Sequence, residues 1–165
     1  MKRLHKTEMG FVLATSMIFL VIMTLLAITA IRRATLDEKV AGNLREQNLA
    51  FQAAERALRY CQNDLETVQT IIVQISPPPL IGSTMPTLWT VKTNWGTGGI
   101  ATTLPAGTVL NVVSQPQCMI EKWQFRPKSG VTGQNKGSAY LITARGVGAT
   151  NSSVVWLQVA VRPGT

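Results

Sequence analysis

The chain is poor in the groups that do most protein chemistry. It has one histidine, at position 5, and 8 acidic residues in 165. Charged residues are 15% of the total, against about 25% in an average soluble domain. That deficit excludes a charge-rich disordered chain. It also implies that part of the chain is not built for water. From Pro77 onward the scarcity sharpens: no His, one Cys (Cys118) and a single acid, Glu121. Paired carboxylates, a Ser–His couple or a metal cluster cannot be assembled from that inventory. Gly96-Thr97-Gly98-Gly99 lacks the Lys-Ser/Thr of a phosphate loop. No catalytic residue, metal site or cofactor is expected, and an enzyme is not the reading.

What is present has a clear layout. Phe11 to Ile31 is a run of 21 residues without a charge. As a helix it spans about 31 Å, the thickness of a bilayer's hydrocarbon core. It is too long for the apolar part of a secretory signal, and no small-x-small cleavage signal follows it. Lys2, Arg3 and Lys6 precede it, Arg32 and Arg33 follow, and Asp37 and Glu38 soon offset the latter pair. The positive-inside bias is slight and puts the bulk of the chain outside the cytoplasm.

Residues 32–76 read as an amphipathic helical stem. Val40, Leu44, Phe51, Ala54, Leu58, Cys61, Leu65, Val68 and Ile72 recur at steps of three, four and seven, one face of a helix. Glu55 and Arg59 stand in the favourable i, i+4 order. Gly42-Asn43 is a weak point, because both are poor helix formers. The helix is expected to end before Ser76-Pro77-Pro78-Pro79.

From 77 to 165 the composition turns to Pro, Gly, Thr, Val and Trp, and reads as a β-rich head. Strand-like runs are 88–93, 108–113, 117–125, 139–147 and 154–162. In the last, Val155, Leu157, Val159 and Val161 share a face. Residues 126–138 and 148–153 read as hairpin loops. The last three strands should form an antiparallel meander, covered on its apolar face by the stem. The predicted class is α+β, a long N-terminal helix on a small antiparallel sheet. Cys61 would then lie on the inward helix face and Cys118 in the sheet. Outside the cytoplasm a disulfide is the better reading. It would close a loop of about 58 residues and contribute roughly 4 kcal/mol.

The formal charge of +8 divides as +2 over residues 1–10, zero over 32–76 and +6 over 77–165. Lys122, Arg126, Lys128, Lys136 and Arg145, with Arg162, could form a basic surface. Trp89, Trp95, Trp123 and Trp156 are candidate stacking groups for nucleic acid. These cations are scattered over loops and strands, so a solvated surface and core tryptophans carry more weight.

A short basic leader ending in Gly10 before Phe11, then a long apolar helix, resembles a type IV prepilin. The stretch TLDEKVAGNLREQNLAFQAAERALR (35–59) resembles the N-terminal region of PilX-type minor pilins. PQCMIE (116–121), YLITARGVG (140–148) and VVWLQVAVR (154–162) are similar to their tail. The resemblance implies a type IV pilin-like fold divided into leader (1–10), membrane and filament-core helix (11–31), stem and head. It implies cutting by the prepilin peptidase between Gly10 and Phe11, and N-methylation of Phe11. It implies a single-pass inner-membrane protein with a periplasmic head, later part of an extracellular pilus. Expected partners are other minor pilins, the major pilin, the peptidase and a tip adhesin. The resemblance links the chain to twitching motility and cell adhesion.

One residue departs from the family pattern. Most type IV pilins carry Glu at the fifth position of the mature chain, which the family account pairs with a neighbour's N-terminal amine. Counted from Phe11, that position is Thr15. The departure favours a tip or initiating position over the shaft, as in minor pseudopilins of type II secretion that similarly lack the Glu. Such a pseudopilin is one alternative reading. A membrane-tethered module for DNA or another polyanion is the other.

Overall fold

The computed structural model describes residues 9–73, 84–124 and 138–162. One helix, α1, runs from Met9 to Thr67. It has no proline, and its serines and threonines turn back onto the helix instead of breaking it. Ser16, Thr24, Thr29 and Thr35 each donate to the carbonyl three residues earlier, at 2.8–2.9 Å. Glu55 and Arg59 pair at 2.6 Å, an exposed contact of little energetic weight.

The helix ends nine residues before the expected boundary at position 76, and Asp64 accounts for the early stop. Its carbonyl accepts the amides of Val68 and Gln69, at 3.0 and 2.7 Å. Its carboxylate accepts the Thr70 hydroxyl at 2.6 Å and the Ile71 amide at 3.0 Å. Gln69 takes a left-handed φ of 58°. The chain therefore turns, and Ile72 leaves the helix face to join a strand. Residues 74–83, which hold the prolines, lie outside the described residues.

Among the described residues, five strands form one sheet: β1 (Ile72–Val73), β2 (Thr102–Thr103), β3 (Gln117–Gln124), β4 (Ser138–Val147) and β5 (Val154–Val161). The order is β1-β3-β4-β5, with β2 also on β3. The expected meander is present as antiparallel β3-β4-β5, in register Ile120↔Ile142↔Val159. The sheet is mixed, not purely antiparallel, because β1 runs parallel to β3. The 148–153 turn is as expected, whereas most of the 126–138 loop falls outside the described residues.

Two of the expected strands do not form. Leu88–Thr90 and Lys92–Trp95 are 3-10 turns. Here side chains take backbone groups that a strand would pair. Thr90 donates to the Thr87 carbonyl at 2.7 Å, and Asn94 to the Leu88 carbonyl at 2.8 Å. In 108–113, the Gln115 side-chain amide answers both the N–H and the C=O of Val109, at 3.1 and 3.0 Å. Asn111 adds a positive φ of 61°. A side chain thus replaces the neighbouring strand.

The core lies between the upper helix and one face of the sheet. Ala57, Cys61 and Leu65 pack with Cys118, Ile120, Ile142 and Ala144, flanked by Leu157, Val159 and Val161. The buried helix face differs from the expected stripe. Ala54, Cys61 and Leu65 are buried and Leu58 half-buried, but Val40, Leu44, Phe51 and Val68 are exposed. Alanines 50, 53, 54 and 57 fill the contact instead. Gly146 gives the reason. A Cβ there would meet the Ala50 carbonyl and the Ala54 amide, far inside contact distance. The helix sits too near β4 for a bulky side chain. Phe51, one residue round the helix from Ala50, is turned outward by about 100°.

Candidate functional site

Two compact units divide the chain, one up to Asn43 and one from Leu44 onward. In the first, the side chains from Phe11 to Ile31 are all exposed. This stretch is long and apolar enough to cross a membrane. An unburied apolar surface of this kind needs lipid or another helix. Thr15 lies near its start, and its hydroxyl approaches the carbonyls of Phe11 and Val12 at 3.1 and 3.0 Å. The polar atom is satisfied inside its own helix, as a hydroxyl in hydrocarbon must be. Gly42 and Asn43 are both helical, and a Cβ at Gly42 would meet nothing. The unit boundary falls directly after them.

In the second unit the upper helix is tied to the sheet in three ways. The first is the alanine and glycine seam. The second is a disulfide between Cys61 and Cys118, whose Cα atoms stand 6.3 Å apart. The third is Glu46, whose Oε2 accepts from the Thr150 amide at 3.1 Å, holding the β4–β5 turn. An apolar helix with its upper part locked onto a small sheet is the layout of a pilin. The PilX N-terminal family profile matches residues 9–59, and that of the type IV pilus assembly protein PilX C-terminal region matches residues 49–163. The chain belongs to the PilX family of type IV pilus minor pilins.

PilX proteins are structural components, and the family implies contact with other pilus parts during assembly. No curated protein and no solved structure matched the chain. The Gly10–Phe11 junction lies at the beginning of α1.

The basic residues do not form one surface among the described residues. Lys122 and Arg145 lie five register positions apart along β4, since Lys122 pairs with Tyr140 and Gln117 with Arg145. They also point to opposite faces, because Lys122 shares parity with core residue Ile120 and Arg145 does not. Arg126, Lys128 and Lys136 lie outside the described residues.

The outer face of the sheet holds two features that the pattern of residues did not reveal. Glu121, the lone acid of the head, is fully buried. Its Oε1 accepts the Leu88 amide at 2.9 Å, while its Oε2 has no partner among the described residues. Burial pushes its carboxyl above the ordinary glutamate range, against the opposing pull of the Leu88 and Trp89 amides. The second feature is a gathering of indoles. Trp95 packs edge-on to Trp156, with ring centroids 4.7 Å apart at 90°. Trp89 and Arg145 stand beside them. The available signal was the Trp89–Trp95 spacing next to Asn94 and Gly99. A Cβ at Gly99 would collide with the Asn94 carbonyl, so the short loop folds tightly and seats Trp95 against Trp156.

Proposed function

We propose that this minor pilin promotes initiation of type IV pilus assembly and resides at or near the filament tip. The single observation carrying this reading is Thr15. A subunit entering the shaft docks below an existing one, and in the family account the fifth-position Glu answers that neighbour's N-terminal amine. Thr15 has no charge to offer, and its hydroxyl is already satisfied by Phe11 and Val12. A subunit with no predecessor above it needs no such carboxylate. The apolar stretch 11–31 first anchors the chain in the inner membrane, with the head in the periplasm. It then moves from lipid into the filament's helical core against the major pilin and other minor pilins. Processing by the prepilin peptidase between Gly10 and Phe11 releases the helix for that transfer.

Immunogold labelling and a clean deletion test the proposal. Label should cluster at filament ends, and the deletion should cut pilus number sharply. Even labelling along the shaft, or normal piliation in the deletion, overturns it. Intact mass should show the mature chain starting at a methylated Phe11. A chain still starting at Met1 in cells with active peptidase refutes the processing step.

A further inference from the structure

The indole cluster on the outer face is a cleft of about 600 Å³, walled by Trp89, Lys92, Trp95, Arg145 and Trp156. That is the size of a small-ligand site. Its rings are fixed in advance. The Trp95 indole N–H donates to the Trp89 carbonyl at 2.8 Å, and the Trp89 indole N–H to the Pro86 carbonyl at 3.1 Å. Those two tryptophans therefore have no N–H to give a ligand, and Trp95 is buried as a backing wall. Trp156 is the open wall, 42% exposed. The polar groups that remain are cationic. Arg145 sits over the Trp156 ring, 5.8 Å from its centroid, and spends one guanidinium nitrogen on Gln117, at 3.2 Å, which leaves the rest of the exposed Trp156 ring and the other guanidinium nitrogens to a ligand. Lys92 is exposed and has no partner among the described residues. None of the lining residues is acidic.

We propose that this cleft binds an acidic sugar, a carboxylate-bearing pyranose within a surface or matrix polysaccharide. A pyranose presents a face of C–H groups, which suits the negative face of an indole. Its carboxylate suits a guanidinium with free donors, reinforced by an ammonium nearby. The edge of a nucleobase needs matched donors and acceptors, and here the indole N–H groups of Trp89 and Trp95 are already spent. A nucleic-acid strand also needs a track of cations along its backbone. Lys122 and Arg145 supply no track, because they lie about 17 Å apart along the strands and on opposite faces. One compact cationic and aromatic cleft fits one charged ring. This activity is separate from filament assembly, so neither its success nor its failure bears on the tip assignment.

The test uses the full chain in detergent micelles, titrated with acidic oligosaccharides and followed by tryptophan fluorescence and calorimetry. The probes are tetragalacturonate, a hyaluronan tetrasaccharide and sialyllactose, with cellotetraose and lactose as neutral counterparts and oligodeoxythymidine as the nucleic-acid arm. At least one acidic probe should bind saturably with a Kd of about 1 mM or below. Neutral counterparts should bind at least about tenfold more weakly. Trp156→Ala should abolish binding, and Lys92→Gln should weaken binding of the acidic sugar alone. Lys92 is on the surface, so its substitution leaves the fold intact, and near-ultraviolet circular dichroism checks the Trp156 variant. Failure of all three acidic probes overturns the proposal. So do equal binding of neutral sugars and indifference to both substitutions. Tighter binding of oligodeoxythymidine through the same residues would replace the sugar with nucleic acid.

Discussion

The two faces of the head's sheet are built on different principles. The helix side is a dry seam of small residues, Ala50, Ala53, Ala54 and Ala57 against Ala144 and Gly146. It is closed by a covalent bond. The outer side mixes buried Met119, Leu141 and Val147 with Gln117, Glu121, Thr143 and Arg145, covered by loops and 3-10 turns. To that apolar packing it adds hydrogen bonds, such as Gln117 to Thr103 and Gln158 to Thr143, both at 2.9 Å. A seam set by close backbone approach tolerates no added atoms. A face that mixes apolar packing with satisfied polar groups can also hold charge. The first fixes the helix against the sheet, and the second leaves a surface that can meet something else.

The sharpest way to break the comparison is to open the disulfide. The Cys61→Ala, Cys118→Ala double variant should lose about 4 kcal/mol in urea unfolding, because 57 residues separate the bridged positions. Unchanged stability would mean that the seam alone holds the helix. Next in size is Gly146→Ala, since the new Cβ has no room beside Ala50 and Ala54. Overpacking against backbone should cost about 3 kcal/mol, read as a lower unfolding midpoint.

On the outer face, Glu121 should give stability a dependence on pH. Its folded carboxyl titrates above the unfolded one. The folded state therefore holds a proton at pH values where the unfolded chain has released it. Stability should fall as pH rises from the ordinary glutamate value through the raised one. Glu121→Gln keeps an acceptor for the Leu88 amide and removes the titration, so its midpoint should stay flat over that range. A wild-type midpoint that is equally flat would contradict the burial argument.

The smallest effect sharpens the contrast between two glycines. Gly42 has open space where Gly146 has backbone. Gly42→Ala should strengthen the helix by about 1 kcal/mol and slow amide exchange around residues 40–46. Equal exchange in both proteins would count against a weak point at Gly42-Asn43.

Much of the helix face was legible in the sequence, and little of the outer face was. The uncharged run from Phe11, the alternation of Val155, Leu157, Val159 and Val161, and the two cysteines all report on apolar burial. Periodicity detects that directly. The same signal misplaced Phe51, because period alone cannot say how closely two backbones approach. Residues 88–93 look strand-like by content. Their fate was decided by Thr90 and Asn94 claiming local carbonyls. Glu121 stood out as the lone acid, but its burial depends on Leu88, far away in sequence. Contacts between such distant polar groups leave no periodic trace.

The disulfide also sets where mechanical load travels. Tension applied along the helix must be carried into the head. Cys61 and Cys118 are joined directly, so the covalent share of that force enters β3, beside what the alanine seam and Glu46 carry into β4 and its turn. The chain between them, with Trp89, Lys92 and Trp95, lies in a closed loop off that path. The 3-10 turns on the outer face can keep their shape while the helix is under tension.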